Sequence, residues 1–240
     1  MSRIRFDHIA IAMTRIDDAA PFLMGELGGV PDHGSPSGVY RFGQWRFLGG
    51  GRIEILEPLG EDGFLHRFLR ERGPGIHHVT FKVPSLGDVC DRARARGYTI
   101  VGYDGSDPGW KEAFLHPKQA LGIVVQFAES RSAPSLRRWQ PPPGPANPRP
   151  PVTVLGLRMR ARSRERALTQ WGLVLEGECV QDSAGALVYR WPGSPMRLAV
   201  EIDPASDEGP VAIELASDRP VSLPEGPHPL LGALFTRCAG

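Results

Sequence analysis

Four residues recur at matching places in two halves of one stretch, and each can give an electron pair to a metal. His8 opens the run His8-Ile9-Ala10-Ile11-Ala12-Met13, and His78 opens the run His78-Val79-Thr80-Phe81-Lys82-Val83. Each half closes with one more donor, in Ile53-Glu54-Ile55-Leu56 and in Val124-Val125-Gln126-Phe127. Histidine and closing donor stand 46 positions apart in the first half and 48 in the second. A duplicated unit giving one nitrogen and one oxygen per copy would build a four-ligand metal site on its own symmetry axis. Such a set, with two exchangeable positions left over, suits Co, Mn, Ni, Zn or Mg. Without Gln126, the remaining two histidines and one carboxylate suit Fe(II) or Mn(II).

The elements that must hold these donors are strands. Side chains at i, i+2 and i+4 share one face of a strand, so His8, Ala10 and Ala12 point away from Ile9, Ile11 and Met13. His78 and Thr80 likewise oppose Val79, Phe81 and Val83, Glu54 opposes Ile53 and Ile55, and Gln126 opposes Val125 and Phe127. All four donors therefore line the sheet face opposite the one that packs on helices. His77 points the other way from His78 and reads as a buried neighbour of the site.

Around these strands one pattern repeats, a strand, a helix and three strands, giving an α+β fold. In the first copy Asp17 reads as an N-cap, Pro21 falls late in the first helical turn and Gly28-Gly29 ends the helix. Strands are expected near Val39 to Phe42, Trp45 to Leu48 and Arg52 to Leu56, with a short helix from Phe64 to Arg70 joining the copies. In the second copy Ser85 and Asp88 form a capping box, Gly97 stops the helix, and strands fall near Tyr98 to Tyr103, Trp110 to His116 and Gly122 to Ala128.

The donor-bearing domain is placed at residues 1–131, with copies at about 4–60 and 74–129. A Pro-rich linker follows at 132–151, where Pro141-Pro142-Pro143 and Pro148-Arg149-Pro150-Pro151 exclude helix interiors and central strands. Residues 152–240 begin the pattern again, with a strand from Val152 to Met159 and a helix from Ser163 to Trp171 closed by Gly172. Later strands are read at Ala186 to Trp191, Arg197 to Ile202 and Val211 to Leu215. Gly156 and Pro210 stand where the opening histidines would be, and Val200 where Glu54 would be. This part reads as a degenerate, truncated copy without metal ligands.

Composition narrows the partners. A formal net charge of +1 argues against nucleic acid as a partner, and no run approaches the length of a membrane span. Three cysteines far apart in sequence imply neither a disulfide framework nor a thiolate cluster, so a cytoplasmic setting is expected. The alternating Arg158, Arg160, Arg162, Arg164 and Arg166 read as a solvated face, the sharper alternative being a phosphate contact. Trp110 and Phe114 read either as walls of the site or as plain core.

Several of these segments together resemble the vicinal oxygen chelate superfamily of glyoxalases, bleomycin-resistance proteins and dioxygenases. They are Asp7-His8-Ile9-Ala10, Ile53-Glu54-Ile55-Leu56-Glu57-Pro58-Leu59, Gly73-Pro74-Gly75-Ile76-His77-His78-Val79-Thr80-Phe81 and Gly122-Ile123-Val124-Val125-Gln126. The resemblance is closest to the methylmalonyl-CoA epimerase branch. It implies paired βαβββ units forming a cup-shaped mixed sheet around one divalent metal, held by His8, Glu54, His78 and Gln126. It also implies a small substrate, an acyl-CoA among the candidates, whose adjacent oxygens chelate that metal while a proton moves at the neighbouring carbon. In the branch the last ligand is normally glutamate, and a second glutamate lies near the place of Tyr40 or Arg41. Here Gln126 takes the first place and no carboxylate the second, which leaves Glu54 as the base among the ligands. The expected activity is that of an isomerase or lyase. An Fe(II)-dependent dioxygenase and a non-enzymatic ligand-binding or resistance module stand as alternatives. Such proteins commonly dimerise, so a homodimer is one expectation, and an appended half-copy in place of the partner is another.

Overall fold

The computed structural model describes residues 3–130 and 139–238. The expected boundary at residue 131 and the first part of the linker lie outside them. The fold is α+β, with two mixed sheets. β1 (Arg5–Ala12) is followed by a 3₁₀ turn, Ile16–Ala19, that runs into a π-helical turn, Pro21–Glu26. Pro21 cannot donate to an α-helical ladder, and Leu27 N reaches back to Phe22 O at 2.9 Å, one residue beyond the α-helical partner. Asp17 does not cap this helix. Arg15 holds the cap position without a side-chain bond, and the backbone N–H of Ile16 instead donates to Glu57 Oε2 at 2.7 Å.

Three strands complete the first copy: β2 (Val30–Ser37), β3 (Tyr40–Arg46) and β4 (Arg52–Pro58). Here the structure departs from the sequence reading twice. No strand is expected before Val39, yet β2 forms over residues 30–37 despite Pro31, Gly34 and Pro36, as a sheet edge, where missing N–H donors are tolerated. Gly43 and Gln44 read as a break between two strands but lie inside β3, opposite Ile55 and Glu54.

After α1 (Phe64–Arg72), the second copy follows the expected plan. It consists of β5 (Gly75–Lys82), α2 (Leu86–Arg94), β6 (Ile100–Asp107), β7 (Trp110–Leu115) and β8 (Val124–Ser130). Ser85 Oγ accepts from Asp88 N at 3.2 Å, as the capping box requires. Glu129 Oε2 accepts from Leu86 N at 2.9 Å while Glu129 Oε1 pairs with Lys111 at 3.2 Å. In the first copy Glu57 does the same for Ile16 N and for Arg41, at 2.8 Å. The eight strands run in the order β2-β3-β4-β1-β5-β8-β7-β6.

The second sheet has the order β10-β11-β12-β9-β13-β14. β9 (Thr153–Ala161) leads to α3 (Arg164–Ala167), capped by Ser163 Oγ, which accepts from Arg166 N at 3.3 Å. The helix passes through Gly172 as a π-helical turn, Leu168–Val174, so the expected stop lies two residues early. β10 (Glu178–Gln181), β11 (Leu187–Arg190), β12 (Arg197–Ile202), β13 (Gly209–Ala216) and β14 (Phe235–Arg237) follow. Only β13 and β14 represent a fourth copy among the described residues. Gly156 lies in β9 with φ +141°, and a Cβ there would collide with the carbonyl of Arg197, its partner on β12. No histidine can take that place. By register, Ala199 rather than Val200 is the counterpart of Glu54, since Arg158 pairs with Ala199 as Ala10 pairs with Glu54.

Two compact units cut across chain order. One gathers the N-terminal end of β1, the chain from His78 through β8, and Gly156–Val211. Its core holds Phe6 stacked on Phe81 at 5.0 Å and Trp191 edge-on to Phe81 at 4.7 Å, and Arg92 Nε of α2 donates to Val174 O at 3.0 Å. The other gathers His8–His77, the described linker and the chain from Ala212. There Phe22 meets His228 at 4.3 Å and Phe235 at 4.9 Å. The described part of the linker docks on this unit. Trp139 stands edge-on to Trp45 at 5.4 Å and covers Gly34 and Gly43, which face each other across β2 and β3.

A Cβ at Gly43 would run into the Trp139 ring and Ile16 Cδ1. Gly43→Ala should therefore destabilise the protein by about 1–3 kcal/mol, the usual cost of overpacking. Urea unfolding measures this, and an unchanged midpoint would mean that Trp139 does not dock.

Candidate metal centre

Strand register decides which side chains meet. β1 runs parallel to β4 with Ala10 opposite Glu54, and β5 runs parallel to β8 with Thr80 opposite Gln126. In both copies the histidine lies two residues before the residue that pairs with the closing donor. Histidine and donor thus share one face, offset diagonally by a single strand spacing.

Ligand atoms of His8, Glu54 and His78 all lie within 4.8 Å of one another. His8 is 2% exposed, and Glu54, His78 and Gln126 are each 7% exposed. Of the eight buried polar or charged residues among those described, six belong to this face: these four, Gln44 and Thr80. Polar groups are costly to bury, and this face gathers most of those that the described residues bury. His8 Nε2 stands 3.5 Å from Glu54 Oε1. Two imidazoles and a carboxylate at this spacing are a donor set that fits a divalent ion of the Zn, Mn or Fe type.

Gln126 has both ends of its amide engaged. Its Oε1 accepts from Thr80 Oγ1 at 2.6 Å and its Nε2 donates to Glu112 Oε2 at 2.8 Å. An amide oxygen has two lone pairs, so one remains for a metal.

The sequence reading missed three neighbours of the site. Gln44 Nε2 donates to Glu54 Oε2 at 2.7 Å and lies 3.3 Å from His8 Nδ1, between the carboxylate and the imidazole. It sits in the stretch read as a turn, and a β3 drawn without a break would have shown it opposite Glu54. His33, on β2, stands edge-on to Phe42 at 5.8 Å, with its Nδ1 3.7 Å from Asp32 Oδ2. Burial holds His33 below the ordinary imidazole pKa, against the pull of Asp32 and Glu54. Nothing in a Pro- and Gly-broken segment signalled it. Glu112, on β7, also accepts from Trp110 Nε1 at 2.9 Å, and Lys82 Nζ lies 3.5 Å from the centre of the Trp110 ring.

Residues weighed as bystanders also find their places. His77 packs against the rings of Phe64 at 5.6 Å and Phe68 at 4.9 Å. Burial pushes its pKa down to about 4, so it is a neutral part of this aromatic cluster at neutral pH. In the second sheet Arg158 pairs with Glu201 at 2.9 Å, Arg162 with Asp207 at 2.8 Å and Arg166 with Glu208 at 2.8 Å. These pairs answer most of the arginine run with carboxylates of its own chain. Among the described residues no helix is long and apolar enough to cross a membrane.

Residues 7–114 match the sequence model of the Glyoxalase/Bleomycin resistance protein/Dioxygenase superfamily. The uncharacterized protein YqjC of Bacillus subtilis is 29% identical over 131 residues, spanning 53% of this chain and 93% of its own. Human mitochondrial methylmalonyl-CoA epimerase is 27% identical over 140 residues, spanning 52% of this chain and 74% of its own. Among solved structures, hypothetical protein BH1468 from Bacillus halodurans has a TM-score of 0.51 at 29% identity, covering 55% of this chain and 98% of that one. A mutant 4-hydroxymandelate synthase from Streptomyces coelicolor has a TM-score of 0.61 over 91% of this chain and 72% of that one. At 13% identity this last likeness is one of fold, and it extends over both sheets.

Gln44→Leu removes the donor to Glu54 and leaves a carboxylate that is 7% exposed without it. The variant should lose about 1–3 kcal/mol of stability in metal-free protein, the cost of removing one hydrogen bond from a buried carboxylate. Denaturant titration in the presence of a chelator gives the number, and a variant as stable as wild type would show that the bond contributes nothing.

Proposed function

We propose that this chain is a metal-dependent isomerase or lyase of the glyoxalase and epimerase type, a reading supported by the match of residues 7–114 to the glyoxalase, bleomycin-resistance and dioxygenase superfamily model. The substrate is a small molecule with two adjacent oxygens, an acyl-CoA among the candidates. The observation that carries the reading is the group His8, Glu54 and His78, buried and within 4.8 Å on the paired strands of a duplicated unit. His8, Glu54 and His78 would hold one divalent ion, with Gln126 Oε1 as the fourth protein ligand. The ion, when bound, supplies Lewis acidity that stabilises an enolate oxygen.

The chain's own residues do the rest. Glu54 is the ionisable oxygen among the four ligands and takes the proton from the carbon beside the chelating oxygens. Gln44, donating to Glu54 Oε2, keeps that carboxylate oriented while Oε1 faces His8. The apolar far end of the first copy's face shields the reacting carbon from water: Ala10, Ala12 and Leu56 pack there with Leu65 of α1, against Tyr40, Phe42 and Phe68.

A second reading rests on the same three residues. Two histidines and one carboxylate with open positions are also the donor set of non-haem Fe(II) oxygenases. Oxygen uptake by anaerobically Fe(II)-loaded protein given a catechol or a keto acid would favour that reading over the first.

Metal analysis of the purified protein should find close to one divalent ion per chain, lost in His8→Ala and in His78→Ala. Glu54→Gln should keep part of the metal affinity while turnover falls by about 10²–10⁴-fold, the usual contribution of a positioned base. Full activity in that variant would sink the assignment of Glu54, and metal-free protein with intact ligand binding would favour a binding module.

A further inference from the structure

We propose that Glu112 is a positioning residue of the metal centre, fixing the amide of Gln126 so that its oxygen and not its nitrogen is presented as a ligand. The inference rests on the metal reading above and adds a residue to it.

A side-chain amide has two ends of nearly equal shape, and only the oxygen end binds a cation. A carboxylate ligand has no such ambiguity, because its two oxygens are alike. The duplicated unit shows this difference directly, since the first copy closes with Glu54 and the second with Gln126. Only the copy with the amide carries an orienting carboxylate. Glu112 pairs with Ala128, two residues beyond Gln126, and its counterpart in the first copy is Phe42, paired with Leu56 two residues beyond Glu54.

The contacts define both ends of the amide. An ionised carboxylate only accepts hydrogen bonds, so Glu112 Oε2, 2.8 Å from Gln126 Nε2, selects the amino end. Trp110 Nε1 donates to the same oxygen at 2.9 Å, which fixes the carboxylate in turn. Thr80 Oγ1 donates to Gln126 Oε1 at 2.6 Å from the strand that carries His78. Turning the amide over would set its oxygen against Glu112 and forfeit that bond. The oxygen is therefore held on the His78 side with one lone pair still available.

Cobalt(II) titration followed by visible absorption tests the assignment in wild type, Glu112→Ala, Glu112→Gln, Gln126→Ala and the Glu112→Ala/Gln126→Ala double variant. Thermal melting monitored by circular dichroism confirms that each is folded, and Glu112→Gln preserves volume should the alanine variant fail. Glu112→Ala should weaken cobalt binding by about 10–100-fold, the usual effect of losing the partner of a metal ligand. Its absorption bands should shift toward those of Gln126→Ala. The double variant should bind no more weakly than Gln126→Ala alone, because Glu112 acts through Gln126. Wild-type affinity and spectrum in a folded Glu112 variant, or losses that add in full in the double variant, would overturn the proposal. His8→Ala separates the two readings. Cobalt binding unchanged in His8→Ala removes the metal centre itself, whereas binding lost there but intact in Glu112→Ala removes only the role of Glu112.

Discussion

The site depends on the register of two parallel strand pairs. β1 beside β4 and β5 beside β8 are each set so that the histidine comes two residues before the residue paired with the closing donor. A slip of one residue in either pair would turn a donor into the helical layer. The opposite faces guard against it, because Ile9, Ile11, Ile53 and Ile55 in one copy and Val79, Phe81, Val125 and Phe127 in the other are almost wholly buried. The same strands also anchor their helices. Three residues beyond each closing donor, on the helical side, Glu57 and Glu129 accept the first backbone N–H of the helical segment that follows the histidine-bearing strand of their copy. Ligand placement and helix docking thus share one strand in each copy, and a change of register would cost both.

Within this shared frame the two copies have diverged. On the donor-bearing face the first copy carries Ala10, Ala12, Phe42 and Leu56, packed against α1. The second copy has Thr80, Lys82, Glu112 and Ala128 at the equivalent positions. Apolar side chains at one copy and hydrogen-bonding side chains at the other show that the shared frame constrains the helical side of these strands far more than the donor-bearing side.

The alternation of apolar residues made the donor-bearing strands, their faces and the duplication legible in the sequence, because those strands are central and must bury one side. It failed at β2, whose prolines are tolerated only because the strand is an edge, and at β3, where Gly43-Gln44 mimics a turn. Both failures hid site residues, His33 and Gln44. The first helix was legible in place but not in type. Asp17 has the chemistry of a cap, yet the helix start is held by Glu57 from 41 positions away, a long-range contact that local propensity does not contain. The same limit applies to Glu112, whose role depends on which side chain pairs across β7 and β8.

The second sheet shows what survives when the site is removed. β9 and β12 keep the parallel pairing of β1 and β4, and Leu157, Met159, Leu198 and Val200 keep the buried helical side. At the position of the opening histidine, however, the backbone of Gly156 lies so close to Arg197 that no side chain fits, and the counterpart of the closing donor is Ala199. The fold therefore needs only the apolar half of the alternation. The polar half differs between the sheets, and where buried donors occupy it, as in the first sheet, they carry a cost in desolvation that packing alone does not offset.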